Sequence, residues 1–317
     1  MALQFVLNVE EGAERTVLNG DCGSENYLPE IPGTGQILGL RNYSVESLYD
    51  FGARVGFWRI LRLFEERQLP LTAFAAGRAL EINPEAGAAL AELGHEVAGH
   101  GYRWIDYRHI DEQTEKAHIQ LTCQIIEQTT KQAPVGWYTG RVSSNTRRLL
   151  AEHESILYDS DAYDDELPYW LVEGGHSHLV IPYTLVTNDI RYVLNPGCAT
   201  SADFFELLRD SFDLLWTEGQ ECPRMMTVGL HSRFSGHPAR AVAVARFLDY
   251  VADHEGVWIC RRRDIAEHWV QQFQNPRSIG SVSILLSEQA SGRGAPVGPE
   301  YSCSLRKIDM VKTVDGR

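Results

Sequence analysis

A chain of 317 residues, 44% hydrophobic and 23% charged, has the composition of a globular protein able to bury one large core. Its formal net charge of −14 argues against nucleic acid or an anionic membrane as partner and suits a small neutral molecule better. No apolar run approaches the ~20 residues that span a bilayer. The opening Met1-Ala2-Leu3-Gln4 has no basic signal-like region, and the six scattered cysteines show no CxxC spacing, so reduced thiols in a cytoplasmic protein are expected.

Residues 3–9 are rich in β-branched and aromatic side chains and predict a buried strand, which ends on Glu10, Glu11 and Gly12. Carboxylates at the carboxyl end of a strand project into the mouth of an α/β fold, and repulsion between adjacent acids lifts one toward use as a base near neutral pH. An isolated acid pair is more often a surface turn, but three further chemical motifs fall at later strand ends. Residues 19–40 form a loop long enough to be functional. Residues 54–68 have helical periodicity, with Val55, Trp58, Leu61, Leu63 and Phe64 toward one side, and Pro70 opens a strand over 71–76. Helix 84–93, strand 95–99, helix 111–131, strand 135–139 and helix 144–153 follow. Strands 156–159 and 179–183, helix 202–217, strand 225–230, helix 238–253, strand 257–261 and a helix from Arg263 complete the order. Seven or eight strands interleaved with helices predict an α/β fold, a closed or distorted (β/α) barrel over 1–274. Residues 275–317 are dense in Ser, Gly and Pro around one short apolar patch and are expected to form a flexible tail.

The strand at 95–99 runs into His100, with Trp104 four residues on. A histidine there serves as a metal ligand, a donor to substrate or a structural residue. The next strand carries Trp137, Tyr138 and Arg141. Arg141 has the planar fork to hold a carbonyl oxygen or a carboxylate, and the two aromatic residues can wall a flat ligand. Equally, Trp137 fits a core and Arg141 an ion pair. Residues 159–166 hold five acids but lack the spacing of an EF-hand, and only Asp161 is singled out. The strand at 225–230 ends on His231, well placed as a general acid because imidazole titrates near neutrality. No Gly-X-Ser-X-Gly elbow, Walker loop or Rossmann fingerprint is present.

Taken in order, these motifs resemble the polysaccharide deacetylase superfamily, and more closely its metal-independent allantoinase branch from purine breakdown. The resemblance runs from about Phe5 to Trp269 and implies a distorted (β/α) barrel. It rests on Asn8-Val9-Glu10-Glu11-Gly12, the stretches 95–107, 136–141 and 158–170, and 229–231 with Pro238-Ala239-Arg240. The deacetylases carry two aspartates where Glu10 and Glu11 stand, the first a base and the second a metal ligand. They have two histidines where this chain has His100 and Trp104, and an Arg-Pro-Pro-Tyr-like motif where Tyr138-Thr139-Gly140-Arg141 stands. An indole only donates, and Glu11 with His100 makes too few ligands for a tight site, so the resemblance implies hydrolysis with neither metal nor other cofactor. It implies opening of the hydantoin ring of allantoin to allantoate. Glu10 or Glu11 would deprotonate water, His100 and Arg141 would hold the oxyanion, and His231 would protonate the leaving nitrogen. Trp104, Trp137, Tyr138 and Asp161 would complete the substrate-binding set, and relatives suggest a homo-oligomer. Two other classes stay open: a metal-dependent N-deacetylase of chitin- or peptidoglycan-like sugar, and an inactive barrel serving as a binding subunit.

Overall fold

The computed structural model describes residues 1–31 and 35–273 and the backbone of 311–313. Strand β1 (Ala2–Val9) is buried on both faces, because helices cover one side of the sheet and the barrel interior lies on the other. Leu3, Phe5, Leu7 and Val9 enter the core shared with the helices, whereas Val6 joins Phe74, Ala98, Tyr138 and Tyr183 inside the barrel. Gln4 and Asn8 share that inner row: Gln4 accepts a hydrogen bond from Arg262, and Asn8 donates one to the Tyr183 hydroxyl. The period of two therefore turns the even-numbered residues of β1 inward and the odd ones outward.

Next come β2 (Thr72–Ala75), β3 (Glu96–Gly99), β4 (Gly136–Trp137), β5 (Tyr158–Asp159), β6 (Tyr169–Glu173) and β7 (His176–Val180). Strands β8 (Met225–His231), β9 (Trp258–Ile259) and β10 (Val311–Thr313) complete the sheet. Its order is β10-β6-β7-β5-β4-β3-β2-β1-β8, with β9 also on β1. The pairings are parallel except β6 with β7. That hairpin turns through Gly174 and Gly175, both at positive φ, and was not among the predicted elements. Among the described residues no ladder joins β7 to β8. One bridge from Asn188 to Gly229, with the Gly229 amide donating to the Thr187 carbonyl, covers the seam. A Cβ on Gly229 would stand 2.3 Å from Asn188 Nδ2, so only glycine allows this crossing. The result is the expected distorted (β/α) barrel.

Helices α1 (Tyr43–Phe51) and α2 (Phe57–Glu65) are continuous through a π turn at Gly52–Gly56. The periodicity over 54–68 marks the second of these. The wider turn rotates the buried face, so Val55 is exposed, against expectation, while Phe57, Ile60, Leu61 and Phe64 are buried. The outer layer continues with α3 (Gly77–Ile82), α4 (Pro84–Glu92), α5 (Glu112–Thr130), α6 (Thr146–Ala151), α7 (Ser201–Glu218), α8 (Ser232–Ser235), α9 (Pro238–Ala252) and α10 (Arg262–Gln272). A Cβ on Gly56 would sit 2.0 Å from the Ser232 carbonyl oxygen, so its absence lets α8 close onto the π turn. Residue 274 and, of the expected tail, 275–310 and 314–317 lie outside the described residues, and Val311–Thr313 pairs with β6. No helix among the described residues is long and apolar enough to cross a membrane. Cys22, Cys123, Cys198 and Cys260 are free thiols as expected, whereas Cys222 is disulfide-bonded.

Candidate active site

The alternation of β1 carries past its end and separates the two acids. Glu10 extends the inner row of Gln4, Val6 and Asn8, whereas Glu11 extends the outer row. The buried Glu10 carboxyl has three cationic or imidazole neighbours. Its Oε1 lies 3.2 Å from His100 Nε2 and 3.5 Å from His231 Nε2, and its Oε2 accepts from Arg233 Nη1 at 2.5 Å. Burial alone would raise this carboxyl, but Arg233, His231 and the hydrogen bond from His100 together hold it well below the usual carboxylate range. Glu11 turns toward the helices. Its Oε2 accepts the Glu10 amide at 3.1 Å, and its buried Oε1 has no hydrogen-bond partner among the described residues and faces Gly52 of the π turn. Burial, with a smaller push from Glu10, outweighs Arg233 and lifts Glu11 to about 7. Glu14, which accepts the Gly12 amide, is likewise lifted by burial to about 7.

His231 ends β8 in extended backbone just before α8. Its Nδ1 donates to Asp189 Oδ1 at 2.7 Å, and Asp189 Oδ2 accepts the amides of His231 and Ser235. Burial alone would depress this imidazole, yet Glu10 and Asp189 raise it to about 9, so it is an imidazolium at neutral pH. His100 Nδ1 donates to the Tyr138 carbonyl, and its ring stacks on the Tyr138 ring at 5.2 Å. A cavity above these groups is lined by Glu10, His100, Trp104, Tyr138, Arg141 and His231, with Tyr27, Tyr163 and Tyr183 at its walls.

Arg141 donates through Nη2 to the Trp104 carbonyl at 2.6 Å and lays its guanidinium 4.3 Å from the Trp104 ring. Arg233 lies 4.9 Å from the same ring, so two guanidiniums flank one indole. Asp161 does not reach the cavity. It accepts the Thr139 and Gly140 amides at 2.8 and 2.7 Å, which fixes the loop carrying Arg141. The expectation that Trp137 walls the ligand is corrected. One residue from Tyr138, it has the opposite strand parity and packs outside the barrel with Leu149, Leu150 and Ile156. The sequence reading passed over Arg233 and Asp189. Arg233 stands two residues beyond the strand-end His231, but Asp189 sits in a short helical turn with no periodic signal.

The divalent-ion site of the deacetylases does not fit these residues. Glu11 faces away from the cavity, both nitrogens of His100 are engaged, and the indole of Trp104 cannot ligate. Among the described residues there is no group of three His, Cys, Asp or Glu side chains arranged to hold a metal ion.

The polysaccharide deacetylase family profile matches residues 41–159. A Schizosaccharomyces pombe protein bearing the polysaccharide deacetylase name is 40% identical over 289 residues, covering 85% of this chain and 90% of that protein. Two solved structures, a Pseudomonas aeruginosa PAO1 protein of the same description and the PuuE allantoinase, are each 49% identical with a TM-score of 0.83, covering 86% of this chain and 91% of theirs. With this fold, these strand-end motifs and these similarities, the chain belongs to the polysaccharide deacetylase family, as a hydrolase of carbon–nitrogen bonds.

Proposed function

We propose that this hydrolase opens the ring of a neutral cyclic amide without a metal, and that allantoin, giving allantoate, is its substrate. One observation carries the reading: Trp104 lies between two guanidiniums at the position of a metal-binding histidine, in a chain 49% identical to an allantoinase. A flat ureide fits a cavity walled by Tyr138, Tyr163 and Trp104 and open to the polar atoms of Glu10, Arg141 and His231.

In this reading Glu10 Oε1 accepts a proton from the attacking water as the new C–O bond forms. Glu11 is better matched to a base by its titration, but it faces the helices, and geometry takes precedence. The oxyanion of the tetrahedral intermediate is held by Arg141, whose buried Nε has no hydrogen-bond partner among the described residues. His231 then gives its Nε2 proton to the leaving ring nitrogen as the C–N bond breaks. The neutral imidazole left behind faces Glu10 Oε1 and takes back the proton that Glu10 received. Asp189 holds His231 in the required tautomer, and His100 fixes the carboxyl of Glu10. The same reading places the chain in cytoplasmic purine breakdown as a homo-oligomer.

Hydrolysis of allantoin after exhaustive chelation tests the proposal, with an N-acetylated chitooligosaccharide as the competing substrate. Full activity on allantoin is expected, falling by at least about a hundredfold in Glu10→Gln, the usual scale for a lost general base. Activity abolished by chelation and restored by zinc, or directed to the acetylated sugar, overturns it.

A further inference from the structure

We infer that Arg233 is a built-in cation of this site, standing where a divalent ion would meet Glu10 and positioning that carboxylate for the reaction. Its guanidinium is buried and bound to Glu10 Oε2 at 2.5 Å. Its remaining Nε and Nη2 have no hydrogen-bond partner among the described residues. Such a charge is costly to bury with so few hydrogen bonds. Aromatic faces surround it instead: Tyr49 at 4.8 Å, Trp104 at 4.9 Å and Phe234 at 4.5 Å from the guanidinium carbon.

Trp104 therefore has two effects at once. It withdraws the imidazole that a metal would need, and it supplies the π face on which an organic cation rests. The chain also delivers Arg233 from the right element. Gly56 and Gly236 bring α8 against the π turn, whose preceding helix carries Tyr49. The π turn in turn places Gly52 against Glu11. A metal exchanges with solvent, whereas a guanidinium on the backbone does not. The cation of this site is then always present, and it fixes the direction of Glu10 Oε1 toward the cavity through the opposite oxygen.

The experiment compares the full chain with Trp104→His, Arg233→Met and the double variant, using cobalt(II) as probe. Uptake is read by equilibrium dialysis and by the visible absorption of ligated cobalt. The parent and Trp104→His are expected to take up essentially none. The double variant, which regains an imidazole and loses the cation competing for Glu10, takes up about one equivalent through Glu10, His100 and the new side chain. Thermal melts establish that each variant folds, and Arg233→Gln replaces Arg233→Met if the latter does not. Kinetically, Arg233→Met lowers kcat by about a hundredfold with KM within about threefold, and Arg233→Lys recovers part of the loss. Equal cobalt uptake by Trp104→His and the double variant, no uptake by the folded double variant, or parental kcat in Arg233→Met overturns the inference. The kinetic arm rests on the proposed hydrolysis, but the cobalt arm reads no activity, so the two ideas fail separately.

Discussion

Replacing Asp189 by Asn tests the acid limb of the site. The oxygen that accepts the amides of His231 and Ser235 is retained, so the loop should keep its shape, but the charge facing His231 Nδ1 is lost. The imidazole rises from 6.5 to about 9, which corresponds to roughly 3 kcal/mol at about 1.4 kcal/mol per unit. Glu10 and Asp189 both raise it against the cost of burial, so removing Asp189 should release on the order of 1 to 2 kcal/mol. The sign follows from linkage. A raised imidazole stabilises the fold fully below about 6.5, and that contribution disappears as pH rises through about 9. Urea titrations should therefore show Asp189→Asn weaker by about 1 to 2 kcal/mol near pH 6 and little changed above about pH 9.5. In kinetics the basic limb of kcat/KM should move down from about 9 by about one unit. At about pH 8.5 that leaves roughly a third of the protonated imidazole, while the loss from protonation near pH 6 is small. A basic limb that stays near 9 in Asp189→Asn would refute His231 as the acid, or Asp189 as its partner.

Other outcomes follow from the same geometry. Glu11→Gln should remain active and become more stable than the parent at about pH 8 by roughly 1 to 3 kcal/mol, with little difference near pH 4, because the raised carboxyl stabilises the fold below about 4.5 and loses that contribution as pH rises through about 7. Denaturation at both pH values checks it, and an inactive Glu11→Gln would return the base to that residue. Trp137→Phe should keep kcat/KM within about twofold yet lose about 1 to 2 kcal/mol, since it removes the hydrogen bond from Nε1 to Thr139 Oγ1 and part of a ring packed outside the barrel. Calorimetry and steady-state kinetics on that variant separate the two effects.

Most of the barrel was legible because its strands are short apolar runs divided by helices with clear periodicity. The acids and histidines of the candidate site stood out because strand ends concentrate polar residues after apolar ones. More could have been extracted. The alternation of Leu3, Phe5, Leu7 and Val9 with Gln4, Val6 and Asn8 already separates Glu10 from Glu11, and the same parity separates Tyr138 from Trp137. Gly174-Gly175 between two strand-like runs is a hairpin signal that went unused. Helix α1 escaped because only Val45 and Tyr49 are buried on it and the π turn breaks its period. Asp189 and Arg233 depend on contacts across 42 and 223 residues of sequence, which no local pattern encodes.

Arg262 gives the fold an order of completion. Its side chain donates to Gln4 on β1, Thr227 on β8, Ser160 after β5, and the carbonyls of Ile181 and Pro182 after β7, and its amide donates to Thr72 on β2. Those groups are buried at the barrel axis, and without Arg262 each would lack the partner it has there. A nascent chain that has emerged only as far as Met225–His231 holds both Glu10 and His231 but not the tie between the strands that carry them. Until α10 leaves the ribosome, the seam between β7 and β8 is held by Thr187, Asn188 and Asp189 against β8 without Arg262 at its centre, which leaves that side of the growing barrel the more open to local unfolding.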